Sequence, residues 1–272
     1  MIRHLLQLIW NQRKQNAWLW AELLLVSVFL WFLVDYLYVM GRTYTAPLGF
    51  DIRHTYSIVI SSLSERSPDY IPKEKRERPD LLTALDRIRA YPGVESACLT
   101  DGGMPYYMGS RNLVWRIDTL QVPCRYAFVT PEFFDVFRIY DKDGKTASLK
   151  RAIEDNNSIV ISADVETMNP GLSLLGQKAY RGNVTDEIEE TIRGISVPIR
   201  RHEYTKAEPN VYRALRLSRM EEGYYEGMID AVRLCVRVRP DIDNADFPAR
   251  FRKDMAEQLR LGNLYLLDVQ PL

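Results

Sequence analysis

The sequence is poor in the residues from which metal and thiol sites are built, with three histidines and three cysteines in 272 residues. His4, His54 and His202 lie far apart along the chain. No H-E-x-x-H pattern or His/Cys cluster accompanies them, so no metal-ligand set can be read. Cys98, Cys124 and Cys235 form no C-x-x-C pair, and an odd number excludes a framework that pairs every cysteine within one chain. All three fall in segments with strand patterning, which favours buried thiols; a Cys98–Cys124 bridge is the alternative. An excess of charge is also missing. Lys+Arg and Asp+Glu both count 36, and this balance gives no reason to expect a nucleic-acid partner, which needs basic excess. No G-x-S-x-G elbow is present, and no pair of carboxylates stands out by spacing as general acid and base. Gly171-Leu-Ser-Leu-Leu-Gly176-Gln177-Lys178 approaches a phosphate loop. It puts Gln177 where lysine belongs and Lys178 where the Mg²⁺-binding hydroxyl belongs, so it reads as a turn leading into a strand. The sequence therefore nominates no catalytic, cofactor-binding or metal residue, and the expectation is a non-enzyme without cofactors.

What is present is a long apolar run. Hydrophobic residues make up 46% of the chain, an ordinary share, but they are concentrated near the N-terminus. From Ala17 to Met40 the chain reads AWLWAELLLVSVFLWFLVDYLYVM, long enough for the roughly 20 residues a membrane-spanning helix needs. Trp18, Trp20, Trp31, Tyr36 and Tyr38 lie towards its ends, as in aromatic belts. A signal peptide is the rival reading. The run is longer than an h-region, and Gly41-Arg-Thr-Tyr-Thr-Ala-Pro is a poor cleavage site, so a retained anchor is expected. Arg3, Arg13 and Lys14 precede the run with no acidic residue among them, which leaves the N-terminus in the cytoplasm. In residues 2–15, Ile2, Leu5, Leu6 and Ile9 share a face, with Leu8 beside them and Arg3, Gln7, Gln12 and Arg13 elsewhere. That segment is either an interfacial amphipathic helix or the first turns of one long helix. Glu22 and Asp35 flank the uncharged centre and lie near the ends of the run, where the cost of inserting a charge falls. They read as interfacial carboxylates, with contact to other helices of an assembly as the alternative.

The rest of the chain patterns as a mixed domain. Thr55–Ser61 alternates as a strand with Tyr56, Ile58 and Ile60 on one face. Residues 64–78 are charged and carry two prolines, a solvated loop. Pro79 is placed to start a helix whose Leu81, Leu82, Leu85 and Ile88 share a face, and Tyr91-Pro92-Gly93 stops it. Val94–Thr100 completes a β-α-β unit, and Asp101-Gly102-Gly103 is a turn. Asn112–Ile117 and Gln121–Thr130 read as a hairpin, with a short helix opening at Pro131–Val136. Further strands are expected at Asn157–Ser162, Ala179–Arg181, Thr191–Pro198 and Ala231–Val238. In the last, Val232, Leu234, Val236 and Val238 lie opposite Arg233, Cys235 and Arg237. An amphipathic Phe247–Leu261 and a strand at Leu264–Val269 make a second β-α-β unit. Two such units with hairpins between them predict an α+β domain in two lobes.

The ordered set of segments resembles the MacB/FtsX-type ABC transporter permeases, in the first membrane helix and the periplasmic core domain. The resemblance is carried by Leu48-Gly49-Phe50-Asp51 after the helix and by Tyr91-Pro92-Gly93-Val94-Glu95-Ser96-Ala97. It continues through Val129-Thr130-Pro131-Glu132-Phe133-Phe134-Asp135-Val136-Phe137 and Leu175-Gly176-Gln177-Lys178. Thr191-Ile192-Arg193-Gly194-Ile195 and Pro209-Asn210-Val211-Tyr212 complete it. It implies residues 1–16 as a cytoplasmic segment, 17–40 as a transmembrane helix in a bacterial inner membrane and 41–272 as a periplasmic core domain. It further implies a cytoplasmic ABC ATPase and a homo- or hetero-dimer partner, with no active site, the domain coupling ATP hydrolysis to movement outside the membrane. A stand-alone, membrane-anchored module that binds or senses another envelope component is the second reading. An alkaline phosphatase fused after Leu272 should be active in cells and one fused at the N-terminus inactive; the reverse pattern would overturn the orientation.

Overall fold

The computed structural model describes residues 3, 7, 10, 17–71, 77–107, 109, 111–155, 157–182, 187–215 and 232–272. They fall into two units, one holding residues up to Pro47 together with Glu203–Thr205 and the other the remaining residues from Leu48 onwards.

The first unit is built on helix α1 (Ala17–Thr45), 29 residues with none buried. At 1.5 Å per residue it is about 44 Å long, more than the ~30 Å hydrocarbon core. It is long and apolar enough to cross a membrane. It runs past Met40 because Gly41-Arg42-Thr43-Tyr44-Thr45 contains no proline, and the Thr45 hydroxyl donates to the carbonyl of Gly41 at 3.0 Å. Arg3, Gln7 and Trp10 are helical; the rest of the amphipathic reading of 2–15 lies outside the described residues. The Tyr44 ring lies against Tyr204 with centroids 5.7 Å apart.

The second unit contains β1 (Thr55–Ser62), α2 (Glu77–Arg89), β2 (Val94–Asp101), β3 (Arg111–Ile117), β4 (Leu120–Val129), α3 (Phe133–Val136), α4 (Ala147–Glu154), β5 (Ser158–Ser162), α5 (Asp164–Met168), β6 (Lys178–Arg181), β7 (Ile188–Ser196), β8 (Asn210–Ala214), β9 (Val232–Val238), α6 (Phe247–Met255) and β10 (Leu264–Pro271). The expected strands are all present. Helix α2 begins two residues before Pro79, and α6 is shorter than its apolar pattern because residues 256–259 form turns. Leu82 is 37% exposed and Ala84 takes its place in the core. Leu82 lies 100° around the helix from Leu81, at the edge of the buried stripe.

The two β-α-β units are not separate lobes. In the first lobe the strand order is β10-β1-β9-β2, with every pair antiparallel. Strand β9 fills the gap between the parallel β1 and β2, while β1 fills the gap between β9 and β10. The pattern is that of interleaved split β-α-β units. Both crossover helices cover one face, where Leu81, Leu85 and Ile88 of α2 meet Phe247, Phe251 and Met255 of α6 over Tyr56, Ile58, Leu99, Leu234 and Val236.

The second lobe is inserted between β2 and β9. Its strands pair as β4–β3–β6–β7–β5–β8, and β8 pairs back onto β4 in parallel, so six strands close into a barrel. Closure leaves no free edge in this lobe. Trp115, Ile117, Val122, Cys124, Ile159, Ile161, Ile192 and Val211 fill its core. Strand β4 belongs to both lobes. Leu120–Tyr126 pair with β3 inside the barrel, whereas Phe128 and Val129 pair with Asp101 and Thr100 of β2.

A third apolar layer lies between the barrel and the face of the first sheet opposite α2 and α6. Here Cys98 and Cys235 pack with Phe133, Phe134, Val136, Leu149, Ile153, Val160 and Tyr212. Both faces of β9 are therefore covered, and Arg237, which the alternation sets opposite the apolar side, is 2% exposed. Its Nε donates to the carbonyl of Val136 at 2.7 Å. Its two terminal nitrogens donate to Arg53 at 2.6 Å and Asp51 at 2.5 Å. Sequence spacing did not reveal α4 or α5, which are only eight and five residues long.

All three cysteines are free and buried. Cys98 faces Cys235 directly across β2 and β9, while Cys124 belongs to the barrel core, so the geometry removes the Cys98–Cys124 alternative. Burial pushes the Cys98 thiol well above its usual range, helped by the hydrogen bond with Cys235, and pushes Cys124 up to about 12. A maleimide should label none of the three in the native chain and all three in denaturant; rapid native labelling of Cys98 or Cys124 would contradict the packing. Arg237→Met should destabilise the domain by about 3 kcal/mol or more, because three buried carbonyls lose their donor. Denaturant titration against the parent measures this.

Candidate functional site

The most constrained segment of the second unit is its first, Leu48–His54. Gly49 has φ +84°, and a Cβ there would sit 2.1 Å from the carbonyl oxygen of Pro198. Only glycine allows that conformation and that approach. The neighbouring carbonyl of Leu48 accepts the amide of Arg200 at 2.9 Å, and the amide of Asp51 donates to Phe137 at 2.8 Å. Arg237 then takes up the carbonyls of Asp51 and Arg53. The carbonyl of His54 accepts from Val238 at 2.9 Å. Within seven residues the backbone is fastened to the loop before β8, to the end of α3 and to β9.

Side chains reinforce this seat. The Asp51 carboxylate pairs with Arg53 at 3.2 Å and Arg138 at 3.4 Å. Burial opposes its charge, but hydrogen bonds from the Arg53 side chain and amide and the nearby charge of Arg237 hold its pKa below the ordinary carboxylate value. His54 adopts φ +60°, an uncommon conformation for a side-chain-bearing residue. Its Nδ1 bonds the Asp243 carboxylate, which also accepts the Tyr56 hydroxyl. Burial works against the Asp243 charge, and the two bonds bring its pKa down. The Tyr56 hydroxyl is driven upwards by burial and then by that carboxylate. Tyr–Asp–His is a positioning network: among the described residues no hydroxyl or thiol nucleophile is hydrogen-bonded to His54.

The buried Glu190 is also held by protein partners. Glu190, 3% exposed in the barrel, accepts Trp115 Nε1 at 3.2 Å and Arg213 Nε at 2.7 Å, and pairs with Arg181 at 3.3 Å. Two guanidiniums thus satisfy one carboxylate, as a buried charge requires. The phosphate-loop-like stretch is a turn entering β6, as its residues imply. Its amides are already engaged: Leu174 donates to Glu166 Oε1, Gly176 to the carbonyl of Ile192 and Gln177 to that of Leu174. Lys178 bonds Glu189 on the surface. Among the described residues no three His, Cys, Asp or Glu side chains are grouped to hold a metal ion. The seat of Leu48–His54 was missed by sequence reasoning except for its Leu-Gly-Phe-Asp opening. Its partners lie between about 80 and 190 positions further along the chain, beyond any periodicity.

No family model and no curated protein matches the chain. Solved structures do. A domain from a Porphyromonas gingivalis protein described as a permease superposes with a TM-score of 0.50 at 16% identity, covering 83% of this chain and 92% of that one. The extracellular domain of the ABC-type transporter YknZ from Gram-positive bacteria gives a TM-score of 0.47 at 12% identity over 78% of this chain and all of that one. The periplasmic region of MacB from Actinobacillus actinomycetemcomitans gives 0.46 at 11% identity, covering 84% and 94%. The likeness to the first extends over nearly all of that domain, and at this identity it is one of fold: this chain joins an apolar N-terminal helix to a domain with the fold of the Porphyromonas gingivalis permease domain.

Proposed function

We propose that the chain is the membrane-anchored outer part of an ABC transporter permease of the efflux or lipoprotein-export type. In this reading α1 crosses a bacterial inner membrane with the N-terminus in the cytoplasm, and the domain from Leu48 lies in the periplasm. A separate cytoplasmic ATPase hydrolyses ATP, a second permease chain completes a dimer, and the outer domain relays movement. The observation that carries the proposal is the fold shared with the Porphyromonas gingivalis permease domain across 92% of its length. The seat of Leu48–His54 supports the mechanical part. A displacement delivered to Leu48 loads β9 through Arg237, α3 through Phe137 and the loop before β8 through Arg200, so both lobes would respond together. A stand-alone binding module of the envelope is the second reading, favoured by the arginine-lined cleft described below.

The deciding experiment is affinity purification of the tagged chain from native membranes in mild detergent, with mass spectrometry of what accompanies it. An ABC-type ATPase is expected; its reproducible absence, with a single envelope protein in its place, would overturn the permease reading. Where the ATPase is recovered, Gly49→Val should leave it bound but reduce transport by roughly tenfold or more, because a β-branched residue suits neither φ +84° nor the contact with Pro198. Undiminished transport would exclude Leu48–His54 as the coupling segment.

A further inference from the structure

A cleft on the barrel side of the domain collects positive charge without a carboxylate in its lining. It lies between the turn after β2, the second half of β4, the segment 199–201 and the start of β8, around an unfilled volume of about 30 Å³. Arg125, Arg200 and Arg201 line it, and none of the lining residues is acidic. Phe50 and Tyr106, packed edge to face with centroids 5.9 Å apart, form an aromatic wall.

Arg125 is the unusual member. Strand alternation sends Cys124 into the barrel core and Arg125 out towards this cleft. Its Nε is fully buried and has no hydrogen-bond acceptor. Among the described residues no carboxylate lies within ion-pair distance of its guanidinium. The charge that bears on it most is Arg201, of like sign; Tyr212 and Glu208 act on it more weakly. Arg200 in the same wall is 4% exposed. Arg111 pairs with Asp101 at 2.9 Å beside Gly102, and Arg201 donates to the carbonyl of Tyr107 at 3.4 Å.

A buried donor without an acceptor costs about 1–3 kcal/mol, and burying like charges together adds to that. Buried Arg237 avoids the cost through three carbonyls, and half-buried Arg213 and Arg181 face Glu190. At Arg125 a negatively charged acceptor, small enough for the space beside Arg200 and Arg201, would satisfy the orphaned donor and offset the like charge of Arg201. A planar guanidinium presents paired donors that match the oxygens of a carboxylate or phosphate. We propose that this cleft is an oxyanion site, binding the carboxylate or phosphate group of a ligand through Arg125 with Arg200 and Arg201. The aromatic wall of Phe50 and Tyr106 flanks the remainder of that ligand. This proposal does not depend on the permease reading.

The test uses the full chain in detergent. Inorganic phosphate, acetate and a short-chain phosphatidic acid are titrated by calorimetry, with chloride at equal ionic strength as the reference. Saturable binding of at least one oxyanion is expected, with a rise in melting temperature that grows with its concentration. Binding of phosphate or acetate marks a free solute; binding of phosphatidic acid alone marks a lipid headgroup. Arg125→Lys keeps the charge but loses the fork, and should weaken binding about tenfold or more, equivalent to about 1.4 kcal/mol. Arg125→Leu should abolish it, and the lysine variant decides if the leucine variant does not fold. No binding beyond the chloride reference, or binding unchanged in Arg125→Lys, would overturn the assignment.

Discussion

The domain is organised around one buried guanidinium. Arg237 stands on β9, where the strand pattern alone would turn it away from the apolar side, yet nearly all of its surface is covered. A buried arginine is stable only when its donors are used. Here they reach the carbonyl at the end of α3 and two carbonyls of the segment that leads into β1. These acceptors belong to parts of the chain about 100 and 185 residues away. The same five-donor group that settles its own charge therefore fixes where the chain enters the domain and how α3 lies against the sheet.

The barrel is the second constraint. An inserted lobe with open strands would present unpaired backbone groups along two edges. Pairing β8 back onto β4 removes them, and β4 can serve both lobes because its two halves use the same edge in succession, first for β3 and then for β2. The lobes share a strand rather than a flexible linker, and the Phe133–Phe137 layer fills the space between them. Such a join resists relative sliding.

Glu190, Arg213 and Asp243 are satisfied by protein partners. Arg125 differs because its Nε is buried without an acceptor and its charged neighbour repels it.

The sequence by itself determined the local elements: the apolar run of α1, the strand alternation of Thr55–Ser61 and Ala231–Val238, the stop at Tyr91-Pro92-Gly93 and the hairpin of β3 and β4. Each rests on spacing within about ten residues, which is the reach of periodicity and of turn chemistry. The order of motifs along the chain also made the permease likeness legible. Tertiary structure alone decided how the two β-α-β units interleave, that the inserted strands close into a barrel, that Cys98 meets Cys235, and that Arg237 and the Nε of Arg125 are buried. A β-strand's side chains alternate whatever covers them, so sequence can say which residues share a face. It cannot say whether a second layer lies on the other face, and here that layer comes from chain between about 100 and 190 residues away.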